Sequence, residues 1–166
     1  MLLTKLHIPA SGSSLVQRQQ LYDKLNEGLK RKLILISAPA GFGKTTLVSD
    51  WIKRQKIPAA WFSIDSKDND LTGFLSYVIA GIQQMNKASG ESALKLLKSP
   101  SRPRPEAVIS LLINDIIRID SNFILVLDDF HVITNQEIID SVSYLLEYLP
   151  ENIHIVILSR SDPNLP

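Results

Sequence analysis

Three apolar runs in the chain show no alternation between apolar and polar positions: Leu33 to Ser37, Phe123 to Leu127 and Ile153 to Leu158. Rich in Ile, Leu and Val, they suit strands of a parallel sheet buried on both faces. A fourth candidate strand, Ala59 to Ile64, carries Trp61 and Phe62 and ends at Asp65. Helical periods lie between these runs. Leu71, Phe74, Leu75, Val78, Ile79, Ile82 and Met85 recur at three and four residues and so share one helix face, with Asp70 as the expected N-cap. Ala107, Val108, Leu111, Leu112 and Ile119 repeat the pattern after Pro100, Pro103 and Pro105, and Ser99 to Pro105 reads as a stiff connector between two helices. Thr134 stands three residues before Glu137, a capping-box spacing, ahead of Ile138, Ile139, Val142, Leu145, Leu146 and Leu149.

Strands alternating with helices imply right-handed crossovers and a sheet covered on both faces. The expected fold class is therefore α/β, a three-layer αβα sandwich around a mostly parallel sheet. With 166 residues the chain is of one-domain size. We divide it into an N-terminal segment with a helix (1–32) and a core (33–166). Because Pro166 follows directly on a strand and a loop, the chain is expected to be a fragment of a longer protein that lacks a final strand.

Composition narrows the class. Charged residues are 21% of the chain, the formal net charge is +1, and the basic residues are scattered rather than gathered into a nucleic-acid footprint. The absence of cysteine excludes disulfides and thiolate metal sites. No apolar run reaches the ~18–20 residues of a membrane-spanning helix, and Lys5, His7 and Pro9 interrupt the apolar start. A cytoplasmic protein with no membrane partner is expected.

The chemistry concentrates at three places. Ala38-Pro39-Ala40-Gly41-Phe42-Gly43-Lys44-Thr45-Thr46 follows a predicted strand and precedes a helical pattern, the context of a phosphate-binding P-loop, with Ala38 where the usual first glycine stands. In such a loop successive backbone N–H groups turn inward around a polyphosphate at a helix N-terminus. Lys44 is expected to bridge the outer phosphates and Thr45 to ligate Mg2+. Asp128 and Asp129 end the third strand; Asp128 is the candidate magnesium carboxylate and Asp129 the candidate for orienting the attacking water. Two adjacent carboxylates at a strand end also occur as capping or solvated loop residues. Arg160, two residues past Leu158, would reach the same sheet edge as a γ-phosphate sensor, or form a surface ion pair. His131 reads as a packed or capping residue, and His7 and His154 have no partner at metal-ligand spacing.

Together with Thr4 to Pro9, Leu15 to Arg18, Ala60 to Asp65, Asp68 to Asp70 and Leu149 to Pro163, these motifs resemble, in order and over nearly the whole chain, the N-terminal nucleotide-binding domain of the large ATP-dependent LuxR-type transcriptional regulators. The resemblance implies a signal-transduction ATPase of the STAND class, related to the NB-ARC switches, that binds ATP or ADP with Mg2+ and self-associates through this domain in the full-length protein. It implies that Val16 and Arg18 line the adenine pocket and that Arg160 is the sensor arginine. It also implies the strand order 2-3-4-1, with one edge exposed where a fifth strand would pair and so prone to association. The DNA-binding parts of that family have no counterpart in the chain, so no direct DNA contact is expected from it.

Three functions follow from these residues: a slowly hydrolysing ATP switch (ATP to ADP and phosphate), which leads; a small-molecule P-loop kinase; and a nucleotide-binding scaffold without turnover. The kinase would need a second substrate pocket and an arginine-bearing lid, and no insertion supplies one.

Overall fold

The computed structural model describes residues 1–10, 18–119, 121–163 and 165. Its centre is a four-stranded parallel sheet made of β1 (Leu33–Ser37), β2 (Ala59–Ser63), β3 (Phe123–Asp128) and β4 (Ile153–Ser159), in the spatial order β1-β4-β3-β2. This is the expected 2-3-4-1 order read from the other edge. All three pairings are parallel, and the register sets Ser37 beside Ser159 and Ser63 beside Asp128. All strand C-termini therefore open at one edge of the sheet, where ligands of doubly wound folds bind.

Successive side chains of a strand point to opposite faces, and here each face has its own core. Trp61, Ile124, Val126, Val156 and Leu158 pack under α1 (Gln19–Gly28) and α2 (Lys44–Gln55). Phe62, Leu125, Leu127, Ile155 and Ile157 pack under α3 (Leu71–Met85), α5 (Pro105–Ile116) and α6 (Gln136–Tyr148). A short helix, α4 (Glu91–Leu97), joins the second layer through Ala93 and Leu97. Burial on both faces is why β3 and β4 carry apolar residues without alternation: every residue of both strands is buried. The three-layer αβα architecture is thus the observed one.

Two local expectations need correction. The N-cap of α6 is Asn135, whose side chain accepts from the Glu137 amide at 3.0 Å, not Thr134. Thr134 is engaged elsewhere: its hydroxyl accepts from the Asn69 side-chain amide and its own N–H donates to Asn69 Oδ1. The helix after the proline cluster buries Val108, Ile109, Leu112, Ile113 and Ile116 and ends before Ile119, which is buried in the following turn. The connector Ser99 to Pro105 joins two helices, α4 and α5, as expected. The Asp70 cap is as expected, with its carboxylate accepting from Gly73 N–H at 2.7 Å.

The first residues are fastened to the sheet by charge. Lys5 Nζ, in the 3-10 turn Leu3–Leu6, reaches Asp68 Oδ2 at 2.6 Å and Asp65 Oδ2 at 2.8 Å, and the Asp68 side chain is almost fully buried. Burial alone would lower the lysine pKa, but hydrogen bonds to both carboxylates outweigh it and the net direction is up. Across the other layer, Tyr22 Oη donates to Asp50 at 2.6 Å and Trp51 Nε1 donates to Asn26 Oδ1 at 2.8 Å, locking α1 onto α2.

Candidate functional site

The loop from Ala38 to Gly43 leaves β1 at the C-terminal sheet edge and runs directly into α2. Gly41 and Gly43 hold φ of 82° and 75°, the left-handed region that side-chain-bearing residues enter only with strain. Nothing lies within 4 Å of a Cβ built at either position, so backbone conformation, not crowding, requires glycine there. Gly43 is the N-cap of α2 and brings no side chain to its free amides, which leaves the first-turn N–H groups available to an anion. The mouth of the loop is tied to the neighbouring strand by Ala38 N–H donating to Ser159 O at 3.2 Å. Ser159 was not anticipated from sequence; its only signal was a polar residue closing an apolar run.

Lys44, Thr45 and Thr46 form the first turn of α2. Lys44 Nζ folds back into the loop and donates to the carbonyls of Ala38 and, at 3.1 Å, Pro39. Pro39 and Ala40 line the same loop, and Phe42 projects from its apex, 63% exposed. The Thr45 hydroxyl faces Asp128, with Oγ1 3.0 Å from Oδ2 and 3.2 Å from Oδ1. Loop and acidic residue thus converge although β4 separates their strands. Asp128 is 5% exposed. Burial raises its pKa from 3.8 to about 6; the Thr45 hydrogen bond opposes that rise, and the Asp129 charge adds to it. A carboxylate held in this way is short of positive charge.

That shortage tests the fit of a divalent ion. The donors are oxygens only, a hydroxyl and a carboxylate at contact distance, which suits the hard Mg2+ ion. Among the described residues no group of three His, Asp or Glu side chains could cage a metal. Such a pair instead suits an ion that keeps water and phosphate oxygens as its other ligands.

Asp129 follows in the left-handed conformation, φ 59°, with its N–H on Asp128 Oδ1 at 3.0 Å and its side chain 47% exposed. Arg160 is exposed just past β4, on the same edge. His131 is not a cap: its Nδ1 is buried with no hydrogen-bond partner among the described residues. Burial lowers its pKa, opposed by the Asp129 charge and aided by those of Arg160 and Lys44. Arg18 is the N-cap residue of α1 and makes no side-chain cap hydrogen bond; Val16 lies outside the described residues. His154 is spent structurally, with Nδ1 2.8 Å from the Arg31 carbonyl.

A parallel sheet whose first strand feeds a glycine loop and helix, with a strand-end carboxylate facing the helix hydroxyl, defines the P-loop NTPase fold. Comparison with known proteins makes the assignment particular. The family model described as "Nephrocystin 3, N-terminal" matches residues 10–160. The HTH-type transcriptional regulator MalT of Yersinia pestis (strain Pestoides F) is 35% identical over 162 residues, covering 98% of this chain and 18% of that protein. MalT of Vibrio parahaemolyticus serotype O3:K6 is 32% identical over the same shares. Among solved structures, a Signal Transduction ATPase with Numerous Domains (STAND) protein with a tetratricopeptide repeat sensor from Pyrococcus horikoshii superposes with a TM-score of 0.67 at 18% identity, covering 96% of this chain and 23% of that one. Cdc6p from Pyrobaculum aerophilum gives 0.62 at 18% identity, over 98% and 44%. The chain belongs to the Nephrocystin 3, N-terminal, family and is homologous to the N-terminal region of MalT. The resemblance read from its motifs is borne out. The chain spans about a fifth of the length of these curated relatives (18%), and no described helix is long and apolar enough to cross a membrane.

Proposed function

We propose that the domain is an ATP-binding switch that hydrolyses ATP slowly within a signal-responsive transcriptional regulator. The observation that carries this reading is the Thr45–Asp128 pair at 3.0 Å, set beside a loop whose two glycines hold left-handed φ. The amides from Ala40 to Thr46 wrap the phosphates of ATP or ADP, and Lys44 leaves the loop carbonyls to meet the outer phosphates. Thr45 and Asp128 would hold Mg2+, which when bound neutralises phosphate charge. Asp129, on the exposed side of the same turn, orients the attacking water, and Arg160 reads the γ-phosphate from the end of β4. Val16 and Arg18, ahead of α1, contact the adenine.

Slow turnover suits a switch, because a nucleotide shifts a two-state protein only by its differential affinity for the two states. The homology to MalT supports the regulatory role. In this reading the protein self-associates through this domain when ATP is bound and resets on hydrolysis, and DNA is contacted elsewhere. The test is phosphate release by the intact protein carrying this domain. Asp129→Asn should keep ATP binding and lose turnover, and equal release by wild type and variant contradicts the hydrolytic role. Transfer of phosphate to an added metabolite pool instead of water would favour a kinase.

A further inference from the structure

The turn that carries Asp129 is held at both ends by the loop that follows β2. Strands β2 and β3 leave the sheet side by side, and the Ile64 N–H, just past β2, donates to the Asp128 carbonyl at 3.0 Å. Further along the same loop, Asn69 closes on the far end of the turn. Its Oδ1 accepts from the N–H groups of Thr134 and Asn135, both at 2.9 Å, and its Nδ2 donates to Thr134 Oγ1 at 2.8 Å. Asp129 to Ile133 lie between the two fastenings. The loop is itself braced, because Asp65 and Asp68 form a reciprocal capping box around the 3-10 turn Ser66–Asp68 and Lys5 ties both carboxylates.

Asp129 needs such a frame. It holds φ 59°, in the left-handed region that residues with a side chain enter at a cost. That conformation persists where the surroundings over-determine it. Phe130, fully buried and edge-on to Phe74 with ring centroids 6.4 Å apart, pins the middle of the turn, and Asn69 fixes its exit. A turn released at its exit would let Asp129 relax to right-handed or extended backbone, and its carboxylate would swing with it. The alternative, Asn69 as a plain cap for α6, does not account for the contacts. Asn135 caps that helix with its own side chain, and Asn69 takes the N–H groups of two residues ahead of the helix rather than those of its first turn.

We infer that Asn69 is a positioning residue for ATP hydrolysis: by holding Thr134 and Asn135 it keeps Asp129 in the backbone conformation that aims its carboxylate at the attacking water. The inference rests on the hydrolytic reading above and adds to it a residue from the loop of a different strand. In this role Asn69 touches neither nucleotide nor water and acts through Asp129 alone.

The experiment compares wild type, Asn69→Ala, Asn69→Asp and Asp70→Ala in the intact protein, measuring steady-state phosphate release with MgATP and ADP affinity by calorimetry. Alanine removes the clasp. Aspartate keeps an acceptor for both N–H groups, and the Thr134 hydroxyl turns to donate to it. Asp70→Ala strips the neighbouring N-cap of α3 and leaves the clasp alone, so it reports general damage to the loop. Asn69→Ala should lower kcat about tenfold or more, the scale of a misplaced catalytic group, with KM for ATP and ADP affinity close to wild type. Asn69→Asp should recover most of the loss, and Asp70→Ala should turn over like wild type. Wild-type kcat in Asn69→Ala, an Asn69→Asp as slow as Asn69→Ala, an equal loss of kcat in Asp70→Ala, or a matching loss of nucleotide affinity would each overturn the inference. Absence of phosphate release from wild type refutes the hydrolytic reading itself and the inference with it, whereas turnover that Asn69→Ala leaves intact refutes the inference alone.

Discussion

Replacing Asp128 with Asn should stabilise the nucleotide-free, magnesium-free domain at neutral pH while removing its response to magnesium. Folding buries this carboxylate and lifts its pKa from 3.8 to about 6. The folded state therefore holds the proton more tightly than the unfolded chain. Below about pH 4 the acid is neutral in both states and costs nothing. As pH rises from about 4 to 6 the unfolded chain ionises first, and stability falls until the folded group has ionised as well. At ~1.4 kcal/mol per pH unit, the interval between 3.8 and about 6 corresponds to about 3 kcal/mol lost above pH 6. Asn keeps an acceptor for the Thr45 hydroxyl and for the Asp129 N–H but has no charge to desolvate. Urea denaturation in EDTA should then show wild type losing stability between about pH 4 and 6, relative to a flatter Asp128→Asn, and the variant more stable at pH 7.5 by roughly 1–3 kcal/mol. MgATP should raise the wild-type midpoint more than that of the variant, since ligands stabilise the state they bind. Parallel pH profiles, or a less stable Asp128→Asn at pH 7.5, would refute the view that this carboxylate is held at a cost in stability.

Two further substitutions probe the frame. Gly43→Ala meets no neighbour but must enter φ 75°; a loss of about 1–2 kcal/mol is expected in urea denaturation, together with weaker nucleotide binding, and an unchanged midpoint would contradict the strain argument. Lys5→Met leaves Asp68 buried without its cation and should cost roughly 3 kcal/mol, read as a lower thermal midpoint at pH 7.5; Lys5→Met combined with Asp68→Asn should recover part of it, and no recovery would assign the loss to packing of the lysine stem.

Much of this was legible in the chain because the signals were local. Phe123 to Leu127 and Ile153 to Leu158 lack alternation because β3 and β4 face a core on both sides, whereas β1 lies at the sheet edge with Leu35 40% exposed, against the expectation of burial on both faces. The same runs deliver Lys44, Asp128 and Arg160 to one edge. The strand order came from family resemblance; the apolar runs themselves do not encode which strands are neighbours. What escaped detection depends on distant partners. Thr134 has the spacing of a cap, but Asn69, far away in sequence, takes its polar groups and passes the role to Asn135. Helix α4 spans only Glu91–Leu97 and is set by Gly90, whose φ of 80° and tight fit against Ile79 no pattern of apolar residues announces. The Lys5–Asp68 pair joins residues 63 apart. His131 looked like packing or a cap because nothing in its neighbours' identities reveals an enclosed nitrogen without a hydrogen-bond partner.

Calorimetric titration of MgADP into wild type and Lys44→Ala tests the central claim most directly. If the amides and lysine of the loop hold the phosphates, wild type binds one nucleotide and the variant binds about 100-fold more weakly or not at all, the loss of roughly 3 kcal/mol expected for a charge-assisted phosphate contact. Equal affinity in the two proteins would mean that this loop is not where the nucleotide sits.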